Sequence, residues 1–139
     1  MLKSRLLHPV ILETLAASGH GGKILIADGN YPTNTRANPG ARRVYLNLAP
    51  GQLTVTDVLE VLVTAIPVEA ADLMLTDSGE EPAIYTDFRR LLPSVQLQAS
   101  ERAMFYKKCF DPDVCLVIAT GEQRLYANIL LTIGVVQPS

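Results

Sequence analysis

Along the chain, apolar residues fall alternately at helical spacing and in short continuous runs, which predicts helices alternating with buried strands. Leu7, Val10, Ile11 and Leu15 recur at helical spacing. Pro9 suits a first turn and Gly19 an αL position after the end, so the first helix is expected over about residues 8–18. Residues 23–27 are almost wholly apolar, as in a strand covered on both faces, which puts Asp28 and Asn30 at its C-terminal end. Residues 29–41 hold two Pro, two Gly and three Asn and read as a loop, of a length that is usually functional or mobile. A second strand is expected over residues 43–48. Thr54 and Asp57 then open a helix in capping-box fashion, and Val55, Val58, Leu59, Leu62, Val63 and Ile66 give it the cleanest period in the chain before Pro67. A strand over 71–76, a helix through Ile84, Phe88, Leu91 and Leu92, and a short strand over 95–98 follow. Ser100 can cap a fourth helix carrying Arg102, Phe105, Tyr106 and Cys109. Residues 114–120 form the most apolar strand, expected to be central, and residues 128–133 the last. This alternation predicts an α/β fold, a three-layer α/β/α sandwich with a mixed, largely parallel sheet, in a single domain over residues 1–139.

Composition narrows the partners. The chain has 139 residues, 48% of them hydrophobic, enough to bury a full core and to suggest that partner subunits cover some surface. Its net charge of −2 comes from interspersed residues without a basic stripe, which argues against nucleic acid. The pairs Arg42-Arg43, Arg89-Arg90 and Lys107-Lys108 read as solvated positions. Cys109 and Cys115 stand six apart with no C-x-x-C motif, and His8 and His20 are distant from them, so no metal site is expected. Cys115 reads as a small core residue. No apolar segment reaches the roughly 18–20 residues of a membrane span. With no secretory h-region after Met1, the expectation is a cytoplasmic protein.

Familiar catalytic devices are absent: there is no phosphate-cradling G-x-x-x-x-G-K-[ST] and no dinucleotide fingerprint. Gly19-His20-Gly21-Gly22 resembles an esterase oxyanion loop, but no G-x-S-x-G elbow accompanies it. What remains are polar side chains at element ends. His20, followed by two glycines, is either an accessible acid/base or a histidine bonded to helix-terminal carbonyls. Asp28 is either a ligand group at a strand end or a turn residue. Arg102 and Tyr106 share a helix face, as a surface pair or a binding pair. Tyr126 and Asn128 follow a Gly-Glu turn. One imidazole, one carboxylate, one guanidinium, phenols and an amide suit a neutral polyhydroxylated ligand handled by hydrogen bonding and proton transfer. Five residues of strand at about 3.3 Å each would separate His20 from Asp28 by roughly 20–25 Å. They can share a site only if the chain folds back or a neighbouring subunit intervenes.

The ordered set Gly19-His20-Gly21, an apolar strand into Asp28, Arg102-Ala103-Met104-Phe105-Tyr106, Thr120-Gly121-Glu122 and Tyr126-Ala127-Asn128-Ile129-Leu130-Leu131 with Gly134 resembles the ribose pyranase and fucose mutarotase family. The resemblance implies a cofactor-independent monosaccharide isomerase that interconverts ring forms by acid/base opening and reclosure. His20 would be the catalytic acid/base, and Asp28, Arg102, Tyr126 and Asn128 would bind sugar hydroxyls, with Tyr106 a second proton carrier or stacking surface. It also implies a ring-like homodecamer with pockets near subunit contacts. Arg102 within R-A-M-F-Y is similar to the fucose-type branch, whereas Tyr126-Ala127-Asn128 and the strand around Val44 lean towards the ribose type. An L-fucose-like substrate is the preferred expectation, with a D-ribose pyranase activity or a non-catalytic sugar-binding accessory role in sugar transport as the alternatives.

Overall fold

The computed structural model describes residues 1–139. Four helices and six strands alternate: α1 (Pro9–Ala17), β1 (Lys23–Ala27), β2 (Arg42–Tyr45), α2 (Val55–Leu62), β3 (Val68–Met74), α3 (Tyr85–Leu91), β4 (Gln96–Ser100), α4 (Arg102–Cys109), β5 (Val114–Ala119) and β6 (Ile129–Ile133). The strands form one sheet in the order β2-β5-β1-β6-β3-β4. Only β6 runs against the rest, pairing antiparallel with β1 on one side and β3 on the other. The expected mixed, largely parallel α/β sheet is therefore the observed one. β5 is interior, but the middle places go to β1 and β6.

Alternation along each strand sends side chains to two separate cores. Ile24 and Ile26 of β1 face α1, α2 and α3 with Ile11, Leu59 and Phe88. Leu25 and Ala27 face α4 and the 29–41 loop with Phe105, Cys109, Tyr31 and Ala37. Phe88 and Phe105, one in each core, are completely buried, and burying one such ring contributes about 1.5–3 kcal/mol. The helical layers are unequal: three helices cover one face, and a single helix with a loop covers the other.

Several boundaries shift for identifiable reasons. Helix α1 ends at Ser18, whose N–H and Oγ–H both close on Thr14 O. The left-handed residue expected at Gly19 is consequently Gly21, with φ of 88°. Helix α2 begins with the full capping box, Asp57 N–H donating to Thr54 Oγ1 at 3.1 Å and Thr54 N–H to Asp57 Oδ2 at 2.9 Å. It stops at Leu62 rather than Ile66, the chain tightening into i→i−3 bonds from Thr64 N–H to Val61 O and Ala65 N–H to Leu62 O before Pro67. Ser100 caps nothing: it is the last residue of β4, and Glu101 precedes α4 without a side-chain cap. Cys115 is only partly buried, its Sγ–H donating to Lys23 O, whereas Cys109 is fully buried in the second core. Arg43 is not simply solvated. Its guanidinium donates to Thr33 O, Ala37 O, Asn38 O and Ala41 O, and so fastens the 29–41 loop from inside.

Candidate active site

The reversed strand β6 creates the site. Because β6 runs against β1, its start lies beside the end of β1, with Ile26 opposite Ile129. Asp28 and Asn128, one hundred residues apart in the chain, thereby become neighbours. Asp28 N–H donates to Asn128 Oδ1 at 2.7 Å, and Asn128 Nδ2 donates back to Asp28 Oδ2 at 3.2 Å. Ala127 N–H adds a second donor to Oδ2 at 3.2 Å, and Asn30 N–H donates to Oδ1 at 3.0 Å. The residue before Ala127 is Tyr126, the one non-glycine residue with positive φ, at 58°. Tyrosine rarely adopts this backbone, which costs on the order of 1–3 kcal/mol. Such strain collects where a site demands it, and here the next N–H reaches the carboxylate. Asp28 is 5% exposed. Burial pushes its carboxyl above the usual aspartate range, against the pull of the four donor groups around it.

Around this pair opens a cavity of about 260 Å³ lined by Asp28, Asn30, Tyr31, Met74, Arg102, Tyr106, Leu125, Tyr126 and Asn128. It is somewhat smaller than the roughly 300–1,000 Å³ of drug-sized pockets, a scale fitting a single sugar ring. Arg102 and Tyr106, four apart on α4, reach it from the first and second turns, while Phe105 and Cys109 anchor the helix below. Arg102 Nη2 rests 3.6 Å from Asp77 Oδ1, an exposed pair that holds it only loosely. Tyr31 stands edge-on to Tyr106 at 5.4 Å and donates its hydroxyl to Arg36 O at 2.6 Å. The nearby Glu122 is buried, which would raise its carboxyl, but the bidentate Arg124 guanidinium and the Arg124 and Val55 N–H groups outweigh burial and hold it below the usual range. No three His, Cys, Asp or Glu side chains converge anywhere in the chain.

Five of the six residues singled out in the sequence, Asp28, Arg102, Tyr106, Tyr126 and Asn128, thus share one cavity. His20 does not join them within the chain. It sits in the turn before β1, at the opposite end of that strand, its side chain 57% exposed and paired with Glu69 rather than with helix-terminal carbonyls. The cavity also takes in Tyr31, Met74 and Leu125, which are not among those six. Tyr31 had a signal, being the only aromatic residue of the 29–41 loop and three positions after Asp28. Met74 closes β3, and the strand expected over 71–76 hid that position.

Known proteins share this architecture. A model of the family described as the RbsD / FucU transport protein family matches residues 1–136. The D-ribose pyranase of Symbiobacterium thermophilum is 31% identical over 135 residues, covering 97% of this chain and 98% of that protein. The fucose mutarotase of Mus musculus is also 31% identical, over 147 residues, covering 94% of this chain and 90% of its own. Among solved structures, the fucose mutarotase from Streptococcus pneumoniae in complex with L-fucose superposes with a TM-score of 0.84 at 26% identity, over 99% of this chain and 100% of that one. Bacillus subtilis RbsD complexed with D-ribose gives 0.85 at 27% identity with the same coverage. The chain belongs to the RbsD / FucU family, a family of sugar mutarotases and pyranases.

Proposed function

We propose that this protein is a cofactor-independent mutarotase that interconverts the anomers of an L-fucose-like monosaccharide. The supporting observation is the interlocked Asp28–Asn128 pair set in a sugar-sized cavity with Arg102, Tyr106 and Tyr126. Asp28 presents carboxylate acceptors, Arg102 supplies donors, and the two phenols and the amide can do either, which suits a ring of hydroxyls. Met74 and Leu125 add an apolar wall against which the methyl group of a 6-deoxy sugar can pack.

In this reading His20 is the catalytic acid/base and arrives from a neighbouring copy in a ring-like decamer, since its own strand carries it away from its own cavity. The base takes the proton of the anomeric hydroxyl while an acid protonates the ring oxygen. The bond from C1 to the ring oxygen breaks, and the sugar opens to its aldehyde. Rotation about C1–C2 and reclosure give the other anomer; closure through a different hydroxyl changes the ring size. No electrons or groups leave the sugar, and the protons return. One positioned acid/base contributes roughly 10²–10⁴-fold, sufficient for a reaction that already proceeds in water. A role beside sugar uptake would place the protein in the cytoplasm, where Cys109 and Cys115 stay reduced.

Saturation-transfer NMR on L-fucose and D-ribose, with wild type and His20→Ala, tests the reading. The expected result is accelerated L-fucose anomer exchange by the wild type, lost in the variant. Faster exchange on D-ribose would assign a pyranase instead. Sugar-dependent thermal stabilisation without any acceleration would leave a binding accessory. Unchanged exchange in His20→Ala would remove the imidazole from its role.

A further inference from the structure

The geometry points to Glu69 as the positioning residue for His20, and we propose that it fixes the imidazole as the Nε2–H tautomer, leaving Nδ1 as the nitrogen that exchanges protons with the sugar. This rests on the reading of His20 as the acid/base.

Three independent features converge on Glu69. First, His20 Nε2 lies 3.0 Å from both Glu69 Oε1 and Oε2. An ionised carboxylate only accepts hydrogen bonds, so Nε2 must carry the proton. Nδ1 has no hydrogen-bond partner in the chain and keeps its lone pair for chemistry. Second, the pairing of β3 with β6 slips at this residue: Val68 faces Ile133 and Ala70 faces Thr132, so Glu69 is the extra residue of a bulge. Bulges re-aim a side chain locally and are over-represented next to active sites. Third, a Cβ at Gly134 would stand 3.2 Å from Glu69 Cβ and 3.6 Å from Oε2. Glycine there gives the bulged Glu69 Cβ its room, the distance to the carboxylate being ordinary contact. The histidine turn is held on the same scaffold, with Gly21 N–H donating to Ile133 O and Ile133 N–H to Gly22 O, both at 2.9 Å. Gly134 N–H meanwhile donates to Pro67 O at 2.8 Å, two residues before Glu69. Donor turn, bulge and glycine gap thus meet at the end of β6, far from the cavity in the same chain. An exposed ion pair alone would stabilise by little, so its contribution to folding does not explain why the bulge aims Glu69 at the imidazole.

The test uses the assembled full-length protein. The ¹⁵N spectrum of the neutral His20 ring should report the Nε2–H form in the wild type and a shift towards a tautomer mixture in Glu69→Ala. L-fucose exchange should fall about 10–100-fold in Glu69→Ala and Glu69→Gln, by analogy with metal-binding histidines that lose the carboxylate orienting their ring. Glu69→Asp should recover part of the rate, and sugar-dependent thermal stabilisation should persist in all three, showing that they fold and bind. An unchanged tautomer in Glu69→Ala overturns the proposal. So does a wild-type exchange rate in Glu69→Ala when His20→Ala has lost activity. If His20→Ala itself keeps the wild-type rate, the acid/base reading fails instead, and the ¹⁵N result still decides which residue sets the tautomer.

Discussion

Two buried carboxylates at the mouth of the sheet answer pH with opposite signs. Asp28 is pushed above its ordinary value of 3.8 by burial, so its ionised form costs the folded state. Stability should fall as pH rises from that value through its folded pKa, and Asp28→Asn should flatten this limb in urea titrations. The same variant should lose sugar-dependent thermal stabilisation; a wild-type shift in Asp28→Asn would count against Asp28 as a ligand group. Glu122, although buried, is held below 4.5 by Arg124 and Val55 N–H. Its contribution is complete above that value and is lost as pH drops through the folded pKa. Glu122→Gln should therefore remove part of the acid limb and lower stability at pH 7. Asp28 was legible as a polar residue ending an apolar run, but Glu122 read as part of a turn and of the motif behind the resemblance, not as a buried ion-pair partner, because its guanidinium partner and the α2 terminus that it bonds are fixed by tertiary contacts.

At the scale of elements, the 29–41 loop behaves as a built wall. Arg43 holds four of its carbonyls, Tyr31 bonds Arg36 O, and Asn38 Nδ2 reaches Val114 O at 2.9 Å. Arg43→Lys should speed amide hydrogen exchange across residues 33–41, since a single ammonium cannot serve a planar fan of acceptors. It should also weaken sugar affinity through Tyr31. Exchange as slow as in the wild type would show that the loop holds itself. The length of this loop was visible in its Pro, Gly and Asn content, whereas its order was not, because composition does not show that a following strand turns one arginine inward. Helix α2 was read almost to the residue at its start, where the capping box is local. The bulge at Glu69 left no mark in the apolar pattern, since register belongs to the pairing of two strands.

For the whole molecule, the separation of His20 from Asp28 along one strand makes assembly part of the chemistry in the proposed reading. Inactive His20→Ala and Asp28→Ala proteins, unfolded together and refolded as mixed rings, should regain roughly a quarter of wild-type exchange at equal proportions, since a site then draws each group from a different copy. No recovery would place both groups in one subunit's site. No helix is long and apolar enough to cross a membrane. The single reversed strand has a consequence of its own. Within the sheet, β2-β5-β1 on one flank and β3-β4 on the other are hydrogen-bonded to one another only through β6, and β6 is synthesised after every other strand. A ribosome-bound chain short of Ile129 therefore carries two unjoined half-sheets with bare inner edges, exposed to pairing with the wrong neighbour. The cavity beside Asp28 is complete only when the last strand lies between them and brings Asn128 alongside, so damage to that C-terminal segment would part the sheet and dismantle the cavity in one event.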